Sequence, residues 1–382
     1  MKRRGFLRLG CGSCCALLWR GAQADGSWQV PARFSRPDLS TEEGGLWGLM
    51  DREETRLRRS PFTIRDPALR DYVQDIACRL GGDHCPDIRV HLVKTPYFNA
   101  SMAPNGMMQV WTGLLLRMEN EAQLAAVLGH EIGHYLSRHS LERLRDAKSK
   151  SAFAQILGLF GPIGALGQLG VLASMLAYSR DQEREADRIG IELMGKAGFD
   201  TREAAKVWQN MVVELKAKSA GEGAGSVLFA THPALEERLV TLRQLAQDAP
   251  GAVQGDAAWQ QHMKPYERDW LSEEVKRGRL DESIALLTRM LASRPAHADY
   301  LAARADAYRL RSSEADLDLA LADYEAALRA QADFADAYRG LGAIYRRRQD
   351  SAHARDSYRR YLKLAPRAPD AALVKNYLEE TP

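Results

Sequence analysis

The sequence predicts a mainly α chain of α+β type, in which a helical domain around a small β-sheet is followed by an all-helical domain of repeats. Three observations carry this. Between residues 119 and 218, long stretches repeat apolar residues at helical spacing. Two short segments, Ile88 to Val93 and Met107 to Thr112, have the pattern of strands. Beyond residue 260 a motif of about 34 residues recurs.

The 382 residues suffice for about two domains plus a targeting segment. Residues 1–24 have the make-up of a cleaved export signal. Lys2, Arg3, Arg4 and Arg8 form a basic start, Leu9 to Trp19 is modestly apolar, and Ala22-Gln23-Ala24 is a small-x-small cleavage pattern. Arg3-Arg4-Gly5-Phe6-Leu7 resembles the twin-arginine signature, which directs folded proteins across a bacterial inner membrane. Five of the 53 Lys and Arg lie in this segment and none of the 50 Asp and Glu does, so the remainder carries a net charge of −2. That balance gives no support for nucleic-acid binding.

Residues 25–246 are expected to form the first domain. Residues 35–80 look helical, with Leu46, Leu49 and Met50 on one side. Cys78 and Cys85, seven apart across Gly81-Gly82, are expected to close a small disulfide loop in an oxidising compartment. A metal site using His84 and Cys85 lacks a second pair of ligands. The two strands follow, separated by a polar, turn-rich stretch from Asn99 to Gly106. Glu119 to Arg145 reads as one strong helix, with Leu124, Val127, Leu128, Ile132, Leu136 and Leu141 at helical spacing. Ser151 to Ser179 has no charged residue but holds five glycines and Pro162, which favours two short helices over a membrane span. It is either a buried hairpin or a surface for peripheral membrane contact or for covering the active site. Arg180 to Lys196 and Thr201 to Lys218 are two further helices. Residues 247–259, with Pro250 and Gly251, read as a linker.

Residues 260–382 form the second domain. Tyr338, Leu341, Gly342, Tyr345, Ala354, Tyr358 and Pro366 match the tetratricopeptide pattern of two antiparallel helices. One period earlier, Ala320, Tyr324 and Ala327 match its second helix, and Leu287 and Pro295 fit a weak third copy.

The chemistry lies in His130-Glu131-Ile132-Gly133-His134, inside the strong helix. Four residues advance a helix by about 400°, so the two imidazoles project from one face a turn apart. Two ligands of one zinc ion need that separation. Glu131, beside them, can take a proton from an activated water and return it to a leaving amine. A catalytic zinc needs a third protein ligand and one open position. Another histidine six residues after His134 is excluded, because Ser140 stands there. Glu183-Arg184-Glu185-Ala186-Asp187 on the next helix offers Glu183 as that ligand. Asp187, one turn on, is placed to accept a hydrogen bond from a ligand histidine. Glu185 faces another way, and His139 is rotated off the ligand face and reads as structural.

Gly129 to His134, Ser179-Arg180 and Glu183 to Asp187 resemble the gluzincin metallopeptidases that include HtpX and the CAAX prenyl proteases. Asn99 to Gly106 is similar to that family's edge-strand segment, and Thr231-His232-Pro233 with Arg238 to another short family motif. The export signal and repeats narrow the resemblance to the BepA-like periplasmic beta-barrel assembly-enhancing proteases, whose second domain usually has more repeats. The resemblance implies one Zn2+ per chain held by His130, His134 and Glu183, with His232 near it. Two roles are open for His232. It could stabilise an oxyanion, or hold the fourth coordination position and keep the enzyme latent until substrate displaces it.

The expected function is a periplasmic zinc endopeptidase for misfolded or misassembled cell-envelope proteins. Its repeat domain would present a concave surface to them, or to outer-membrane assembly machinery. The competing expectation is an assembly chaperone or scaffold with a normally latent protease site.

Overall fold

The helical stretch expected over residues 35–80 is two helices, α1 (Glu42–Arg59) and α2 (Pro67–Gly81). Ser60 precedes Pro61, which disfavours helical backbone before it, and the chain runs without regular helix to Asp66. Asp66 then caps α2 by accepting from the amides of Ala68 and Leu69. A short 3-10 turn, Gly82–Asp87, follows, and a disulfide joins Cys78 to Cys85 across it.

The computed structural model describes residues 28–146, 178–217, 232, 235–246 and 252–380. The expected export signal, residues 151–177 of the uncharged segment, and the glycine loop 221–225 lie outside the described residues. The chain forms two units, Met1–Pro31 and Ala32–Pro382. Of the first, residues 28–31 are described and lack regular structure. The second holds every element named here.

The sheet has strands β1 (Arg89–Val93), β2 (Ala100–Met102) and β3 (Met107–Trp111). β3 is central and fully buried, parallel to β1 and antiparallel to β2. β2, from the stretch read as turn-rich, lies at an edge. Gly106 makes the turn between them at φ 86, where an added Cβ would lie 2.0 Å from the Asp87 carbonyl oxygen.

α3 (Thr112–Arg117) leads into α4 (Glu121–Leu136), capped by the Asn120 side chain accepting from the Gln123 amide. Every residue of α4 is buried, so this helix is the core of the domain. The single helix expected over residues 119–145 is interrupted. Arg138 adopts a left-handed conformation, φ 59, and α5 (His139–Asp146) starts in a new direction. α6 (Arg180–Lys196) begins with a reciprocal cap between Ser179 and Gln182, followed by α7 (Arg202–Lys216) and α8 (Leu235–Leu245). α4 and α6 meet through small residues. A Cβ on Gly133 would lie 2.9 Å from the Ala186 carbonyl oxygen, and one on Gly190 would lie 3.0 Å from the His130 amide nitrogen.

The described end of the expected linker is pinned to the first domain. Val253 bridges to Phe199, and the Ala122 amide donates to the Gln254 carbonyl. From there run α9 (Asp256–Lys276), α10 (Leu280–Ser293), α11 (Ala298–Arg311), α12 (Glu314–Ala330), α13 (Ala335–Arg347), α14 (Ser351–Leu364) and α15 (Ala371–Glu380). The pairs α11/α12 and α13/α14 contain the two recurring motifs. Gly342 admits the Tyr358 ring, which would stand 2.5 Å from a Cβ there. No described helix is long and apolar enough to cross a membrane.

Buried charge joins the two parts. Arg117 of α3 donates to Glu214 of α7 at 2.8 Å and to Glu274 of α9 at 3.0 and 3.1 Å. Arg277 and Ser283 complete Glu274, while Arg289 reaches Glu214 from α10.

Candidate metal centre

Helix α4 sets His130 and His134 one turn apart, with their Nε2 atoms 3.1 Å from each other. The first turn of α6 brings Glu183 against both, with Oε1 3.4 Å from His134 Nε2 and Oε2 3.5 Å from His130 Nε2. His232, from the stretch before α8, places Nδ1 2.9 Å from Glu183 Oε1 and 3.2 Å from His130 Nε2. The four groups are buried, and their ligand atoms all lie within 4.8 Å of one another. Glu131 stands beside them, its Oε1 3.6 Å from His232 Nε2. The Met102 amide on β2 hydrogen-bonds to the Glu131 carboxylate.

The backs of the two helical histidines are held differently. His130 Nδ1 lies 2.9 Å from Asp187 Oδ1. Arg238 of α8 grips the same carboxylate through Nη2 at 2.6 Å and Nε at 2.9 Å, and its Nη1 lies 2.9 Å from Glu183 Oε2. The guanidinium covers the Trp208 ring at 4.0 Å. Arg238 Nη2 also approaches His130 Nδ1, at 3.1 Å, and a ligand role for Nε2 requires the ring proton on Nδ1, directed to Asp187. His134 Nδ1 meets His139 Nδ1 at 2.9 Å, and the Tyr178 ring stacks on His134 at 3.8 Å. The Tyr178 hydroxyl is 2.8 Å from Ser140 Oγ.

His139 and Tyr178 had no assigned role at the centre from sequence. The rotation of His139 off the ligand face assumed an unbroken helix, and the turn at Arg138 returns it to His134. Arg238 had entered only as part of a short motif. Its signal was its position: it shares a helical stripe with Leu235, Leu242 and Leu245, where a charge needs a buried partner. Cys78 and Cys85 lie apart from the centre, at the far end of α2.

Burial pushes the His130 imidazole down to about 4 and His134 well below its usual range, so both rings are neutral. Burial raises the Glu131 carboxyl to about 7. Burial also opposes charge on Glu183, but His232 and Arg238 beside it hold this carboxyl well below the usual value. For Asp187, burial is likewise outweighed by Arg238 and His130.

A metal ion fits this donor set. With the His130 proton directed to Asp187 and the His134 proton to His139, the two Nε2 atoms, 3.1 Å apart, are free to offer lone pairs. They face an ionised carboxylate, and three electron-pair donors meeting without a shared proton are stabilised by a cation. Two imidazoles and a carboxylate suit a divalent transition ion.

Residues 63–246 match Peptidase family M48. The chain is 28% identical over 242 residues to the Beta-barrel assembly-enhancing protease of Escherichia coli (strain K12), covering 57% of this chain and 48% of that protein. Its counterpart in Yersinia pestis is 28% identical over 250 residues, 59% of this chain and 50% of the relative. Mitochondrial metalloendopeptidase OMA1 of Arabidopsis thaliana is 34% identical over 155 residues, 41% of this chain and 31% of the relative. The chain therefore spans half or less of the length of these relatives. The helical histidine pair, the facing carboxylate and the matched stretch agree: residues 63–246, a little under half of the chain, are similar to the metallopeptidases of family M48.

Proposed function

We propose that this chain is a zinc endopeptidase in which His130, His134 and Glu183 hold the ion and Glu131 moves the proton. The observation that carries the reading is the convergence of two imidazole nitrogens and one carboxylate beside a second, separate carboxylate. Zinc bound there supplies Lewis acidity toward the scissile carbonyl and eases deprotonation of water. Glu131 Oε1, buried and without a hydrogen-bond partner, takes the proton of the attacking water and passes it to the leaving amine nitrogen. β2, at the sheet edge next to Glu131, offers a strand for an extended substrate to pair with. Substrates are envelope proteins that have not reached their folded state, met in the periplasm. The repeat helices support this with a groove lined by Arg268, Arg309, Leu310, Phe334 and Arg339. Unfolded casein, incubated with the mature chain with and without a chelator, tests the reading. Cleavage lost with chelator and restored by zinc is expected; chelator-resistant cleavage overturns it.

A second reading has its own observation. His232 is 3% exposed and its Nδ1 stands within the ligand set. As a fourth donor it would occupy the position that a catalytic ion leaves open and hold the protease latent, leaving the chain to act as an assembly scaffold. His232→Ala then raises cleavage of casein or of the chain itself. Lower cleavage with unchanged zinc content assigns His232 to the oxyanion instead.

A further inference from the structure

We propose that His139 and Glu185 form a hydrogen-bond relay behind His134 that fixes its tautomer and aims its Nε2 at the metal, making both positioning residues. The inference rests on the reading of His134 as a ligand. His134 Nε2 faces His130 Nε2 at 3.1 Å and Glu183 Oε1 at 3.4 Å. To offer its lone pair there, Nε2 must be free of a proton, so the proton of the neutral ring sits on Nδ1. His139 Nδ1 lies 2.9 Å from that Nδ1. Two ring nitrogens at this distance share one proton, so His139 Nδ1 accepts. The single proton of His139 is then on Nε2, which points to Glu185 Oε2 at 3.4 Å. The other oxygen of Glu185 accepts from the Ser137 hydroxyl at 3.1 Å. Each group in the chain from His134 to Glu185 thus has one protonation pattern that satisfies its neighbours.

The arrangement needs the helix break. An α4 continuing through Arg138 would carry His139 away from His134; the left-handed Arg138 returns it. His139 is also buried, 3% exposed, so its polar atoms need partners inside the fold. The two ligand histidines are therefore braced unequally. His130 donates to a carboxylate locked by Arg238, whereas His134 donates to a neutral ring whose own carboxylate is half-exposed, with 45% of the Glu185 side chain accessible. A neutral acceptor draws less on the donated proton, so ring orientation has the larger part in holding His134. The Tyr178 ring stacked on its face adds to that.

A purely packing role for His139 would change stability and leave the zinc affinity of the folded protein alone. The test is therefore zinc affinity, read by competition with a chromogenic chelator on the mature full-length chain, with circular dichroism to confirm folding. His139→Ala is expected to weaken zinc binding about 10- to 100-fold. His139→Asn, whose amide oxygen can stand in for the accepting Nδ1, is expected to recover most of it. Glu185→Leu should weaken binding several-fold, less than His139→Ala, and being half-exposed it keeps the test open if His139→Ala does not fold. Parent-like affinity in His139→Ala or in Glu185→Leu overturns the relay, as does His139→Asn binding no better than His139→Ala. A parent chain that takes up no zinc, or His134→Ala binding zinc as the parent does, overturns the ligand reading itself and the relay with it.

Discussion

Glu131 and Glu183 are both buried carboxylates, yet their surroundings differ. Glu183 is pressed against Arg238 and three imidazoles, which favour its charged form, while burial dominates at Glu131 and raises its carboxyl to about 7. Glu131→Gln is expected to lower peptide cleavage about 10²- to 10⁴-fold with zinc content unchanged, measured by fluorogenic peptide assay beside metal analysis. Glu183→Gln should lose both together. Far from the centre, Glu54 sets an acid limit on stability. Burial alone would raise its carboxyl, but hydrogen bonds from Arg89, His91 and Arg58 hold it far below its ordinary value of 4.5. The folded state therefore binds this proton less readily than the unfolded chain, and its contribution is complete above about pH 4.5. It is lost as pH falls below that. Unfolding free energy by urea titration should drop steadily from pH 5 toward pH 3, about the range where unfolded carboxyls protonate, and Glu54→Gln should flatten that slope. The nearness of His130, Glu131 and His134 was legible in sequence, because an i, i+4 spacing fixes two side chains on one helical face. His139 was not, because its place depends on Arg138 taking a backbone conformation that sequence patterns assign to Gly or Asn.

At the level of elements, the helix that carries His130 and His134 meets Glu183 only because another helix comes unusually near. Gly129 and Gly133 on α4 face Gly190 and Ala186 on α6, and the atoms in the way of any added Cβ are backbone, which cannot swing aside. Glycine between Glu131 and His134 thus sets how close Glu183 can stand. Gly133→Val should cost about 1–3 kcal/mol of stability and weaken zinc binding, seen as a lower urea midpoint and a larger zinc dissociation constant. Helices α4 and α6 were readable from apolar periodicity, but their separation was not, since periodicity reports faces and not distances. Strand β2 was legible only through the family resemblance of Asn99 to Gly106, and not from its own pattern, for a related reason. Its three residues are too few to show alternation, and pairing with β3 rather than intrinsic pattern makes them a strand.

For the whole molecule, three arginines and three glutamates, Arg117, Arg277, Arg289, Glu214, Glu274 and Glu282, meet where the repeat helices join the peptidase. Their burial is not legible in sequence, because nothing local shows that α9 and α10 will cover α3 and α7. Arg117→Met leaves Glu214 and Glu274 buried with fewer counter-charges and should destabilise by about 3–5 kcal/mol. Global urea unfolding, followed through tryptophan fluorescence, checks this. Helix α7 adds a link from that junction to the metal centre, since it carries both Glu214 and Trp208, the ring under Arg238.

The junction bears on how the chain can be divided. Trp259 of α9 donates its indole N–H to the Met118 carbonyl, and Tyr266 of α9 reaches Asp66 at the start of α2. A peptidase fragment severed near residue 250 would keep Arg117 and Glu214 but lose their cover, exposing a polar seam and an apolar one together. The repeats are therefore not an exchangeable attachment. Grafting a different repeat array onto this peptidase would succeed only if the new helices reproduced the acid at Glu274 and the aromatic at Trp259, which makes these two positions the ones to match in any chimera.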